Sequence, residues 1–179
     1  MINNTQIESH HGVLMRINGQ GVLIIGPAGM GKSSLALELI SQGHQLIADD
    51  VVDLFKQDNS VVGFCPPMLE GLLHTRELGL ISIPTVFGQN AWQKRHRIDH
   101  VVSLQAELKL ELDLTKKNKT YTLLDLDLPL LMLSIHSPAS LANRIQCWLK
   151  MSENKHPAEN QLKQRQQATM SNIKHREHL

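Results

Sequence analysis

Gly21-Val22-Leu23-Ile24-Ile25-Gly26-Pro27-Ala28-Gly29-Met30-Gly31-Lys32-Ser33-Ser34-Leu35-Ala36-Leu37 contains the clearest chemistry in the chain. Val22 to Ile25 is a short apolar run that reads as a strand, and Leu35 to Ile40 has the apolar density of a buried helix. Between them the pattern G-x-x-x-x-G-K-S turns the chain, with a strand before and a helix after, the context a phosphate-binding loop requires. Glycines let successive backbone N–H groups converge on a phosphate, and the helix N-terminus adds its positive dipole end at the same place. Gly26, Pro27, Ala28, Gly29, Met30, Gly31, Lys32, Ser33 and Ser34 form the expected cradle. Lys32 is positioned to bring a point charge to the outer phosphates, and Ser33 a hydroxyl ligand for magnesium. The chain is expected to bind a phosphate-bearing ligand.

Outward from this loop, Gly43 follows the helix as a C-cap, and His44 to Ala48 reads as a strand ending in Asp49-Asp50. Strands of this kind commonly run beside the loop-bearing strand, which would bring both carboxylates to the phosphates. Phosphoryl transfer uses one carboxylate to hold magnesium and another to position or deprotonate the acceptor hydroxyl. Neighbouring strand residues point to opposite faces, so the bend after Ala48 decides which aspartate enters the site. Upstream, Gly12 to Ile17 reads as a strand turning through Asn18-Gly19-Gln20-Gly21, with His11 at its start. A lone histidine there is ordinarily structural; with a carboxylate partner it becomes a proton carrier or an orienter.

The remainder mixes strands and helices, which gives an α/β class with extra antiparallel strands. Val51–Phe55 and Val61–Phe64 read as a hairpin, Glu70–Arg76 as a loop or short helix, and Leu78–Val86 as an interrupted apolar run. Gly88–Arg97 has few apolar anchors and is expected to be mobile. Val102, Leu104, Ala106, Leu108, Leu110, Leu112 and Leu114 alternate with polar residues as one half-buried strand. A turn at Lys116–Lys119 leads to a strand over Tyr121–Leu128 and another over Leu130–His136. Ser137-Pro138 then opens a helix presenting Leu141, Ile145, Trp148 and Leu149. A polar, helix-prone tail occupies about 155–179, and the 179 residues are expected to form a single domain with it.

Eighteen basic residues against seventeen acidic ones leave a formal charge of +1, which argues against nucleic acid as an obligatory partner. No apolar segment approaches a membrane span, and the N-terminus lacks the pattern of a secretory signal. Cys65 and Cys147 show no metal-ligand or redox spacing, so both are expected to be buried thiols in a cytoplasmic protein.

Three blocks in order resemble the C-terminal catalytic domain of the bacterial HPr kinase/phosphorylase family. They are H-G-V-L-M-R-I-N-G-Q-G-V-L-I-I-G-P-A-G-M-G-K-S (His11 to Ser33), L-A-L-E-L-I-S-Q-G-H-Q-L-I-A-D-D-V-V (Leu35 to Val52) and T-R-E-L-G-L-I-S-I-P-T-V-F-G (Thr75 to Gly88). The resemblance implies a P-loop fold similar to phosphoenolpyruvate carboxykinase, with a mixed sheet and flanking helices. It also implies hexameric assembly, ATP and Mg2+ as cofactors, and a serine of the small protein HPr, or of another small protein, as acceptor. By the same resemblance Asp49 and Asp50 act as base and acid with His11 bonded to the pair, and Ser33 and Asp49 hold the metal. Where the family reads E-I-R-G-L-G, this chain has H-T-R-E-L-G, with His74 at the acidic metal-binding position. The family's basic glycine-rich loop is here H-S-P-A-S-L-A-N-R, His136 to Arg144. These departures motivate a second reading, a nucleotide-binding sensor without efficient transfer, and because the same machinery serves any positioned hydroxyl a small-molecule kinase is a third.

Overall fold

A computed structural model describes residues 7–107, 119–153 and 158–176. β2 (Val13–Ile17) and β3 (Gln20–Ile25) form a hairpin across Asn18-Gly19, whose φ of 50° and 86° suit a tight turn between twisted strands. β3 pairs in parallel with β10 (His100–Gln105), and β10 in parallel with β12 (Leu126–Ser134). Val22, Leu23, Ile24, Val101 and Val102 in these central strands are all fully buried, as strands covered on both faces require. With β4 (Gln45–Ala48) at one edge and β11 (Thr120–Leu123) at the other, the order is β11-β12-β10-β3-β2-β4. α1 (Lys32–Ser41) connects β3 to β4, burying Leu35, Ala36, Leu39 and Ile40.

The second sheet is antiparallel, in the order β1 (Ile7–His11), β5 (Val51–Gln57), β6 (Ser60–Phe64), β9 (Arg95–Ile98). Leu14, Leu23, Ile47 and Val101 from the first sheet join Leu54, Val61 and Ile98 from the second in one core cluster. β7 (Leu72–Thr75) and β8 (Gly79–Ser82) make a separate hairpin, followed by α2 (Ile83–Phe87). Residues 70–76, expected as loop or helix, thus supply a strand.

Several other expectations change. β4 does not run beside β3: β2 lies between them. Both are antiparallel to β2, so they point the same way and release the chain at the same sheet edge. His11 does not start the first strand but ends β1, passing from one sheet to the other through Gly12. A Cβ at Gly12 would meet the Ile24 carbonyl oxygen at 2.7 Å, so this crossing admits only glycine without backbone movement.

Gly88–Arg97 is anchored rather than loose. The Gln93 N–H donates to the Leu46 carbonyl (2.9 Å), the Gln45 side chain donates to the Asn90 carbonyl (2.6 Å), and Trp92 bridges Leu46. These contacts cover the free edge of β4 and hold the segment despite its few apolar anchors. Tyr121–Leu128 is a hairpin of β11 and β12, folding where Leu124 and Asp125 take φ of 46° and 62°. Leu108–Leu114 and residues 116–118 lie outside the described residues. The helix expected from Ser137 starts later, as α3 (Leu141–Glu153), with Ser140 Oγ accepting from the Asn143 N–H at 3.4 Å. Cys65 is buried but Cys147 is exposed.

The contacts divide the chain after Asn143. The described residues from Arg144 onward comprise the rest of α3 and α4 (Ala158–Arg176), whose side chains over 160–169 are all exposed. Among the described residues no helix is long and apolar enough to cross a membrane.

Candidate active site

At the edge where β3 and β4 end, Gly26 takes φ +147°, and a Cβ there would lie 2.7 Å from the Leu104 carbonyl oxygen. The loop leaves β3 tight against the neighbouring strand and reaches Gly31, at φ +82°, which caps α1 without a side-chain hydrogen bond. The first N–H groups of α1 are therefore directed into the loop, the arrangement that favours an anion. Lys32 is only 7% exposed, and its Nζ donates to the carbonyls of Gly26 (2.9 Å) and Pro27 (3.1 Å). Desolvation lowers its pKa, against the opposing pull of Asp50 and Asp49.

The two adjacent aspartates part company at the end of β4. Asp49 is 5% exposed, accepting from Ser33 Oγ on Oδ1 and from the His74 N–H on Oδ2, both at 2.9 Å. Burial pushes its carboxyl pKa up, while the His74 and Ser33 hydrogen bonds pull it back. Asp50 takes a left-handed φ of 67°, which sends its side chain outward, and that side chain is 70% exposed. His11 Nδ1 lies 3.1 Å from Asp50 Oδ1 and 3.0 Å from the Asp50 carbonyl oxygen. The Gly12 N–H also donates to that carbonyl, at 3.2 Å, so the sheet crossing and the aspartate turn hold each other. One carboxylate is thus fixed against the helix and the other faces solvent beside an imidazole.

The β7–β8 hairpin forms the opposite wall. The Leu78 N–H donates to Oγ1 of buried Thr75 at 3.2 Å, holding a turn that carries Arg76 and Glu77. The Arg76 guanidinium passes over the loop, 3.7 Å from where a Cβ on Gly29 would stand. A cleft of about 580 Å³ lies between these walls. Of the residues singled out in the sequence, His11, Ala28, Gly29, Gly31, Lys32, Ser33, Ser34, Asp49 and Asp50 line it. Gly26 and Pro27 take part through their carbonyls, whereas Met30 does not line the cleft.

Three contributors were not foreseen. Arg76 sat in a recognised block without a role, although a cation in a turn after the strand that meets Asp49 is a usable signal. Thr75 and the His74 backbone N–H act through tertiary placement, which no local pattern encodes. The His74 side chain lines the cleft, as does Glu77, whereas Glu70 is drawn off to Lys94 at 3.0 Å.

Comparison with known proteins gives consistent matches. The family model described as HPr Serine kinase C-terminal domain matches residues 3–169. An HPr kinase/phosphorylase of Leptothrix cholodnii is 50% identical over 97 residues, covering 54% of this chain and 30% of that protein. HPr kinase/phosphorylase 1 of Oceanobacillus iheyensis is 48% identical over 96 residues, covering 53% and 31% respectively. The match thus spans less than a third of these relatives' length. The solved HPr(Ser) kinase/phosphatase from Coxiella burnetii is similar with a TM-score of 0.73 and 33% identity, over 80% of this chain and 94% of that one.

Proposed function

Because this chain belongs to the HPr serine kinase C-terminal domain family, we propose that it transfers a phosphoryl group from ATP to a serine hydroxyl of HPr or another small protein. The single observation that carries this reading is the division of labour between Asp49, bonded to the loop's Ser33, and Asp50, exposed beside His11. The Ser33 hydroxyl and the Asp49 carboxylate are hard oxygen donors beside the phosphate cradle, a set that fits Mg2+, which keeps water and phosphate oxygens as its other ligands. The ion supplies charge neutralisation for the phosphates.

The remaining work falls to this chain's own side chains. Loop N–H groups and Lys32 bind the outer phosphates, and Arg76 spreads charge on the side facing Gly29. Asp50 accepts the proton of the acceptor hydroxyl as its oxygen bonds to phosphorus and the terminal phosphoanhydride bond breaks, releasing ADP. His11 orients Asp50 through Nδ1. On the family likeness, the chain acts as one cytoplasmic catalytic domain with a tail at about 155–179, in a homo-oligomer, a hexamer in the resembled family.

The test is label transfer from γ-labelled ATP with Mg2+ to purified HPr. Label on HPr, absent with Lys32→Ala, is the expected result. Tight ATP binding without label on HPr or on any other small protein offered as acceptor would overturn it and favour a nucleotide sensor, the reading that His74 in the cleft supports.

A further inference from the structure

Among the described residues, the exposed large apolar side chains Leu78, Leu80, Val86 and Phe87 fall together in β8 and its flanking turn and helix. Leu78 and Leu80 are 67% and 65% exposed, with only Gly79 between them. Leu80 stands directly opposite His74 in the hairpin register, and directly opposed residues project from the same face. His74 and Leu78 both line the cleft, so the cleft wall continues outward into Leu80. The hairpin's other face is already engaged, because Leu73, opposite Ile81, is fully buried. Leu80 is therefore not a displaced core residue.

Asp50 stands at the mouth of this cleft, its carboxylate 70% exposed. A hydroxyl that reaches Asp50 arrives on a body that covers the mouth. A polar group finds hydrogen-bonding side chains within the cleft, among them His74, Arg76 and Glu77, whereas Leu78 and Leu80 offer it none. Apolar side chains left in water gain by contact with apolar side chains of a macromolecule.

We propose that Leu78 and Leu80 form an apolar docking ledge for the phosphoacceptor protein, seating a surface that carries aliphatic side chains beside the accepting hydroxyl. This rests on the phosphotransfer reading above. It adds a determinant of acceptor choice that lies outside the phosphate cradle.

The experiment is steady-state transfer from γ-labelled ATP to HPr by the full chain, comparing wild type, Leu80→Ser and Leu80→Met. Met151→Ser, at another exposed apolar residue (60% exposed), is the control. Leu80→Ser is expected to raise the KM for HPr about tenfold or more, with kcat at saturating HPr and the Kd for ATP retained. The retained ATP affinity also shows that the variant is folded. Leu80→Met is expected to restore the KM, and Met151→Ser to leave it alone. An unchanged KM in Leu80→Ser overturns the ledge, while labelled HPr in the wild type leaves the kinase reading standing. A wild type that binds ATP but labels neither HPr nor any other small protein removes both. If Leu80→Ser instead shifts the oligomeric state in light scattering at constant KM, the ledge belongs to a second copy and the proposal falls.

Discussion

Two carboxylates adjacent in sequence differ in every physical respect that matters for a reaction. Asp49 is buried and accepts two hydrogen bonds; Asp50 is exposed and pairs with a histidine. Their asparagine variants should therefore fail differently. On the proposed mechanism, Asp50→Asn is expected to lower kcat by about 10²–10⁴ while ATP affinity stays within about twofold, since it would remove the base and no phosphate contact. Asp49→Asn should weaken magnesium-dependent nucleotide binding by about tenfold or more, read by titration with and without the metal. Asp49 also makes a pH prediction. A carboxyl whose pKa is higher folded than unfolded binds more protons in the folded state. Stability therefore falls as pH rises from the ordinary value of 3.8 through the raised folded value, and the full deficit is present above it. Asn keeps the His74 bond on its amide oxygen and holds the Ser33 contact by donating from its amide nitrogen to Oγ, with that bond reversed and no charge. The ligand-free Asp49→Asn chain should melt at or above the wild type at neutral pH, the difference closing as pH falls towards 3.8. A variant that melts lower at neutral pH would contradict this account of the site.

At the scale of elements, the site depends on crossings and caps rather than on any one strand. Gly12 carries the chain from β1 into β2 and fixes His11, and the nearest atom to an added Cβ is backbone, the Ile24 carbonyl oxygen at 2.7 Å. Gly12→Ala is expected to cost about 1–3 kcal/mol in urea unfolding and to reduce transfer as His11 moves. Ser140 caps α3 and donates from Oγ to Glu38 Oε1 at 2.7 Å, which ties the helix start to α1. Ser140→Ala should cost about 1 kcal/mol with transfer retained. Element identity was legible where a period or a turn residue announced it: the hairpin of β2 and β3, α1, and the pair β5 and β6. It was not legible over Glu70–Arg76, because a four-residue strand offers too few alternations to separate it from a loop. Gly88–Arg97 was misread for another reason, since it is held through backbone groups and Trp92, which hydrophobic periodicity does not count.

For the whole molecule, nucleotide should act as a stabiliser. ATP with Mg2+ at a hundredfold excess over its Kd is expected to add about 2.7 kcal/mol, raising Tm by roughly 5–11 °C, and Lys32→Ala should abolish the shift. The amino-acid sequence by itself determined the phosphate cradle, because a P-loop is local chemistry, glycine, lysine and serine at fixed spacing between a strand and a helix. It also determined that two carboxylates arrive together, since adjacency is a property of the chain. Which of them faces inward was decided only by the tertiary structure. The left-handed bend at Asp50 answers to the Gly12 N–H and the His11 ring, and Asp49 is held by an N–H twenty-five residues away in β7. Likewise Arg76 and Leu78 reach the cleft only because β7 and β8 form a hairpin beside the loop. A side chain's direction is set by the backbone it meets, and those meetings exist only once the sheets have assembled.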